Sequence, residues 1–226
     1  MSAIILADKV TKQFIQGSTT ISVLNGISAS FNQGNTYAIS GVSGAGKSTF
    51  LHLLAGLDMP SSGSIVFNGR DLATMQAAER DYFLNKSIGL VFQLPYLINE
   101  LSVLENVMLK GLIARLPKEE CRIKALGLLE IVGLAQKAEC IPNTLSGGQQ
   151  QRVAIVRALF NEPTFLLADE PTGNLDEKTG QGVIDFILDC QKQWHMGLII
   201  SSHDAYVVRK MKQVLILHNG VLQEVR

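Results

Sequence analysis

Eight consecutive residues, Gly41-Val42-Ser43-Gly44-Ala45-Gly46-Lys47-Ser48, have the spacing G-x-x-x-x-G-K-S. Glycines let backbone N–H groups turn inward around an anion, and a helix opening at Lys47 adds the partial positive charge of its N-terminus. Lys47 can then reach the outer phosphate oxygens of a nucleoside triphosphate, and the Ser48 hydroxyl can ligate Mg²⁺. Thr49 follows in the same helical turn, so the phosphate-binding set is Gly41, Ser43, Gly44, Ala45, Gly46, Lys47, Ser48 and Thr49.

Two further groupings offer complementary chemistry. Phe165-Leu166-Leu167-Ala168-Asp169-Glu170 is an apolar run that delivers two consecutive carboxylates, at the strand end where open α/β sheets place ligands. Asp169 suits Mg²⁺ or its waters, and Glu170, on the opposite face of an extended chain, suits polarisation of an attacking water. Taken alone, the pair also fits a solvated strand end. Leu145-Ser146-Gly147-Gly148-Gln149 opens the helical stretch QQRVAIVRALF, with Ser146 and Gln149 at capping-box spacing. Two glycines in a first turn cost about 1 kcal/mol each relative to alanine and leave backbone N–H groups bare. A second phosphate site so far along the chain from the first suggests a nucleotide held between two copies of the protein.

Positioning these groups requires a particular order of elements. IILADKVTKQF and ISVLNGISASF alternate and carry Gly/Asn turn signals, as antiparallel strands do. TYAIS, residues 36–40, is a buried-type strand running straight into the glycine loop. A helix-period segment follows from Lys47 to about Gly56, and SIVFNG returns as a strand ending in an Asn-Gly turn. IGLVF, FLLAD, GLIIS and QVLILH are apolar runs separated by helical stretches, the pattern of a largely parallel sheet. Between about residues 94 and 160 the strand pattern lapses, and three or four helical segments succeed one another. One of them opens with the capping spacing Ser102 to Glu105. The expected fold is α/β: a P-loop NTPase core in a single domain, residues 1–226, with an N-terminal antiparallel β subdomain and an inserted helical subdomain.

Composition narrows the partners. Lys+Arg and Asp+Glu both number 20, so there is no net positive field to hold a nucleic acid by counterion release. Cys121, Cys140 and Cys190 form no CxxC pair and read as free thiols. The N-terminal MSAIILADKVTKQF has no basic segment ahead of its apolar residues and does not read as a secretory signal. No run approaches the roughly 18 uncharged apolar residues of a spanning helix, so a soluble chain is expected. A mean hydropathy of +0.20 is high for such a domain, which a partner covering apolar surface would explain.

The phosphate loop, LSGGQ and LLADE in this order, with Gln93 between the first two and His203 after the third, resemble the ABC transporter ATPases over essentially the whole chain. The resemblance implies ATP and Mg²⁺ as ligands, with Ser48, Gln93 and Asp169 around the metal. It implies that Gln93 begins a loop that senses Mg²⁺ and touches a membrane subunit. Ser146, Gly147, Gly148 and Gln149 would bind the γ-phosphate of the facing protomer, and Asp176, in Gly173-Asn174-Leu175-Asp176, would cross the dimer interface. His203 would contact the γ-phosphate, although a histidine in Ser-Ser-His-Asp also fits a surface residue beside a helix cap. Phe14 lies in a stretch, Lys12-Gln13-Phe14-Ile15-Gln16-Gly17, similar to the one whose aromatic ring stacks on adenine in the family. A strand core residue is the other reading of Phe14. The tract PTGNLD and the stretch His52 to Asp58 resemble the subgroup that includes lipoprotein-releasing and macrolide-exporting ATPases.

The partners implied are a second ATPase copy, forming a homodimer or its equivalent on ATP binding, and an integral membrane transporter subunit. The place of action implied is the cytoplasmic face of the inner membrane, as a peripheral protein. A non-transport ATPase that signals through a membrane partner, as in cell division, would carry the same motifs. A DNA-organising ATPase would need a long coiled coil, and residues 49–144 contain no sustained heptads. A phosphotransferase would leave LSGGQ unexplained. The apolar run Leu94-Pro95-Tyr96-Leu97-Ile98, directly after Gln93, reads either as a buried joint or as a groove floor for a short helix of the membrane subunit. Because Lys47 is the one obligate cation of the cradle, Lys47→Ala is expected to weaken ATP binding and abolish turnover. Nucleotide titration and phosphate release measure both, and wild-type rates would refute the assignment.

Overall fold

The computed structural model describes residues 2–225, arranged around two sheets. The first is antiparallel, in the order β2-β1-β4-β5, from β1 (Ile4–Gln16), β2 (Thr19–Asn32), β4 (Ser62–Phe67) and β5 (Arg70–Asp71). The second takes β3 (Thr36–Ser40), β6 (Ile88–Val91), β7 (Phe165–Asp169), β8 (Gly197–Ser201), β9 (Gln213–His218) and β10 (Val221–Glu224) in the order β10-β9-β3-β8-β7-β6. Every pairing in it is parallel except that of β10 with β9.

Strand alternation sorts the side chains of the parallel sheet into two cores. Tyr37, Ile39, Phe165, Leu167 and Ile199 join the residues of the antiparallel sheet and of helix α1 (Lys47–Leu54). Ala38, Leu166, Ala168, Leu198 and Ile200 turn to the other face, against helices α5 (Gly147–Leu159), α6 (Glu177–Trp194) and α7 (Ala205–Lys210). Both faces being covered, these strands read as continuous apolar runs. Helix α1 lies between the two sheets, with Phe50, Leu51, Leu53 and Leu54 all buried. Each such side chain contributes about 1.5–3 kcal/mol on burial.

A third core joins α3 (Val103–Ile113), α4 (Lys118–Ile131) and the outer side of α5, through Val107, Met108, Cys121, Leu129, Val153 and Phe160. Helix α5 therefore touches two cores. Ser102 caps α3 by accepting from Glu105 N–H at 3.1 Å, while the Glu105 carboxylate accepts from Ser102 N–H at 2.8 Å. Among the described residues no helix is long and apolar enough to cross a membrane.

Three local features differ from the sequence pattern. The turn between β1 and β2 falls at Gly17 and Ser18, whereas Asn25-Gly26 is a bulge inside β2: the register passes from Val10 opposite Ile27 to Thr11 opposite Asn25. Helix α2 (Ala77–Lys86) precedes β6 and buries only Phe83, so no apolar stripe marks it. The run Leu94 to Ile98 divides, because Leu97 packs against the third core while Leu94, Tyr96 and Ile98 are exposed.

The polar side chain of Asn106 is fully buried on α3. It accepts from Ile98 N–H at 2.8 Å and donates to the carbonyls of Ile98, Leu101 and Ser102 at 2.9, 3.3 and 3.0 Å. An unsatisfied buried group costs about 1–3 kcal/mol, so Asn106→Leu is expected to destabilise the chain by about 2–4 kcal/mol in urea titrations. A loss below about 1 kcal/mol would mean that the loop closes without this side chain.

Candidate functional site

The chain leaves β3 at Ser40 and reaches α1 through a loop whose glycines serve different ends. Gly44 has φ +79° with open space where a Cβ would sit, so conformation alone selects glycine there. Gly46 has φ +101°, and a Cβ would lie 2.8 Å from Val23 Cγ1. As the N-cap of α1, Gly46 offers no side-chain acceptor. The first helical bond runs from Phe50 N–H to Gly46 C=O at 2.9 Å, which leaves the earlier amides of the turn without intrahelical acceptors. This is a cradle for an anion.

A cleft of about 380 Å³ opens on that cradle, lined by Val23, Ser43, Gly44, Gly46, Lys47, Ser48, Thr49, Gln93 and Glu170. Gly41 and Ala45 support it from behind: a Cβ on Gly41 would strike the Leu217 carbonyl, and Ala45 packs against the first core. A larger depression of about 700 Å³ beside α6 contains none of the motif residues. The chemistry sits in the smaller cleft. Lys47 is 6% exposed, and its ammonium donates to the carbonyls of Gly41 and Val42 at 3.1 and 3.2 Å. Its third neighbour is Glu170 Oε1, at 3.3 Å.

Glu170 arrives there because the backbone turns abruptly after β7. Its φ is +40°, a left-handed conformation uncommon outside glycine. Its N–H donates to Ser201 Oγ at 3.1 Å and to the Ser201 carbonyl at 3.0 Å. The other Glu170 oxygen lies 3.5 Å from Nδ1 of the exposed His203. Asp169 is opposite Ser201 in the sheet register and accepts a short hydrogen bond from the Ser201 hydroxyl. One serine thus holds the carboxylate of Asp169 and the backbone N–H of Glu170.

The remaining predicted residues stand outside the cleft. Ser146 begins α5, accepting from Gln149 N–H at 3.4 Å while Gln149 Oε1 accepts from Ser146 N–H at 3.0 Å. Gly148 is buried, and a Cβ on it would meet Thr179 Cγ2 at 2.4 Å, so packing alone demands glycine there. Gly147 is exposed, with Leu175 Cδ2 at 3.9 Å as the nearest contact for a Cβ. Asp176 caps α6 through Thr179 N–H at 3.1 Å, bonds that lower its carboxyl pKa. Phe14 is exposed on the β1–β2 hairpin rather than in the core, and the Lys12 ammonium stands 5.1 Å from its ring centroid.

Sequence reasoning missed Val23 in the lining and Ser201 behind the carboxylates. It also missed the side chains that tie down the loop after β6. Of these only Ser201 leaves a trace, as a polar residue ending an apolar strand.

The comparisons with known proteins agree with this geometry. The ABC transporter family profile matches residues 24–173. The lipoprotein-releasing system ATP-binding protein LolD of Xanthomonas campestris pv. campestris (strain 8004) is 42% identical over 223 residues, covering 99% of this chain and 93% of that protein. LolD of Legionella pneumophila (strain Paris) is 42% identical over 219 residues, covering 97% and 96%. Among solved structures, a dimeric post-hydrolysis state of the ATP-binding cassette MJ0796 bound to ADP and Pi superposes with a TM-score of 0.90 at 34% identity, covering 98% of this chain and 99% of that one. CbiO1 from Clostridium perfringens, part of the transporter complex cbiONQ, gives 0.85 at 29% identity, covering 99% and 88%. With a phosphate cradle at the strand ends and matches that span nearly its whole length, the chain belongs to the ABC transporter family.

Proposed function

We propose that the chain is the ATP-hydrolysing subunit of a transporter that releases lipoproteins from the inner membrane, working as a dimer on a separate membrane subunit. The observation that carries this reading is the convergence of Lys47, Gln93 and Glu170 on one cleft at the N-terminus of α1. Cradle amides and Lys47 bind the triphosphate, and the Phe14 ring takes the adenine face. Ser48, Gln93 and Asp169 supply oxygen donors of the kind Mg²⁺ prefers, and the metal, when bound, neutralises phosphate charge. Glu170 accepts the proton of the attacking water, and His203, beside it, donates toward the terminal phosphate.

LolD names among the relatives support transport over signalling, and they support a peripheral place at the cytoplasmic face of the inner membrane. Ser146 to Gln149 lie outside the cleft of their own chain, which supports their use on the nucleotide of a second copy, with Asp176 at the same interface. The helical segment, about residues 94–160, is the part that carries this second surface. Exposed Leu94 and Tyr96, directly after Gln93, form the contact with the membrane subunit.

Glu170→Gln is expected to lower turnover by about 10²–10⁴-fold while ATP still binds, and to accumulate a dimer at saturating ATP in light scattering. Monomers under those conditions, or normal hydrolysis, would refute the composite site. Replacing Leu94 and Tyr96 by serine should leave the fold and basal hydrolysis nearly intact while the chain no longer copurifies with its membrane subunit from native membranes. Undiminished copurification would move the docking surface elsewhere.

A further inference from the structure

Residues 92–98 form no helix or strand, yet side chains from three other segments hold their backbone. Gln151 on α5 donates to the Phe92 carbonyl at 3.1 Å. Asn174 donates to the Gln93 carbonyl at 3.3 Å, and Asn106 pairs with both backbone groups of Ile98. The strongest tie is Arg157, also on α5, whose Nη2 and Nη1 donate to the consecutive carbonyls of Pro95 and Tyr96 at 2.7 and 2.8 Å.

Two observations separate Arg157 from an ordinary packing residue. Its guanidinium makes no ion pair among the described residues, so loop carbonyls are the oxygens that compensate a half-buried charge. Burial accordingly depresses its pKa, although a guanidinium stays charged at any physiological pH. The planar fork also needs two consecutive carbonyls on one side of the chain. Tyr96 provides that curl with φ +44°, a conformation that costs about 1–2 kcal/mol outside glycine and persists where the surroundings impose it.

We propose that Arg157 is a positioning residue that makes loop 92–98 and helix α5 one rigid piece. Ser146 and Arg157 mark the two ends of this helix, about 16 Å apart at 1.5 Å per residue. Movement of the Ser146 end toward a partner's nucleotide is then carried to the loop that starts at Gln93, in the chain's own cleft. The two nucleotide sites of a dimer are thereby coupled through a charge-assisted clamp. This rests on the composite dimeric site proposed above.

The test uses the full chain with Arg157→Met, which keeps an unbranched apolar stem and removes the donors, and Arg157→Lys, which keeps the charge but not the fork. ATP turnover and the mobility of a nitroxide attached to Cys in Leu94→Cys, with the half-buried Cys140 changed to serine, are both read. Arg157→Met should lower kcat at least tenfold with KM for ATP changed less than twofold. The label should become more mobile and stop responding to ATP. Arg157→Lys should fall between the two chains in both readouts, and it carries the test if Arg157→Met does not fold.

Unchanged label mobility overturns the clamp, and it does so even for a chain without any ATPase activity, which would instead refute the proposed function. A mobile label with wild-type kcat overturns the positioning role. Wild-type behaviour of Arg157→Lys in both readouts shows that the two-point fork is unnecessary and overturns the proposal as well.

Discussion

Helix α1 is covered on both sides by sheets, and its N-terminal end, at the exposed Ser48, meets water. That constraint shapes the site. Apolar side chains of the antiparallel sheet and of β3, β7, β8 and β9 close around Phe50, Leu51, Leu53 and Leu54. The amides of its first turn lack backbone acceptors, and the glycine at its N-cap cannot supply one. Such a helix is stable as a neighbour of anions. Lys47, nearly buried between loop carbonyls and Glu170, adds a full charge at the same point without leaving the core.

The parallel sheet then decides what else reaches that point. Ser201 and Asp169 are register partners at the ends of β8 and β7, so their hydrogen bond follows from strand pairing and needs no loop to arrange it. Glu170, one residue further, turns by a left-handed step into the cleft. The ordering is economical in physical terms, since the rigid strands fix the metal-binding carboxylate of the proposed mechanism and a single strained residue aims the proposed base. Gln93 enters by a different route, from a loop held by side chains instead of sheet bonds.

Legibility from the sequence follows the same division. TYAIS, FLLAD and GLIIS coincide with β3, β7 and β8, because strands buried on both faces leave uninterrupted apolar runs, and QVLILH coincides with β9, although Ile216 and His218 there are exposed. The phosphate loop was legible because all its parts are contiguous. Helix α2 was not, since Phe83 is its one fully buried residue and the rest of the helix is half-buried or exposed. Asn25-Gly26 looks like a turn in one dimension, yet β1 runs past it and makes it a bulge. Leu97 and Tyr96 look equally apolar, but only tertiary packing tells that one belongs to the third core and the other to the surface. Ser201, Gln151 and Arg157 act from 31 to 62 positions away from their acceptors or donors, a separation no local pattern encodes.

The signature glycines separate into two cases that a motif alone merges. Gly148 is required by its own chain, because Thr179 occupies the space a Cβ would need. Gly147 is not: a Cβ there would meet Leu175 at an ordinary 3.9 Å, and alanine would favour the helix by about 1 kcal/mol. No contact among the described residues of the protomer accounts for that loss. A group that approaches the exposed first turn of α5 from outside would account for it, since a methyl at Gly147 would stand between that group and the amides around Ser146. Gly148 therefore serves its own chain, and Gly147 is the glycine that the shared nucleotide site proposed above would require.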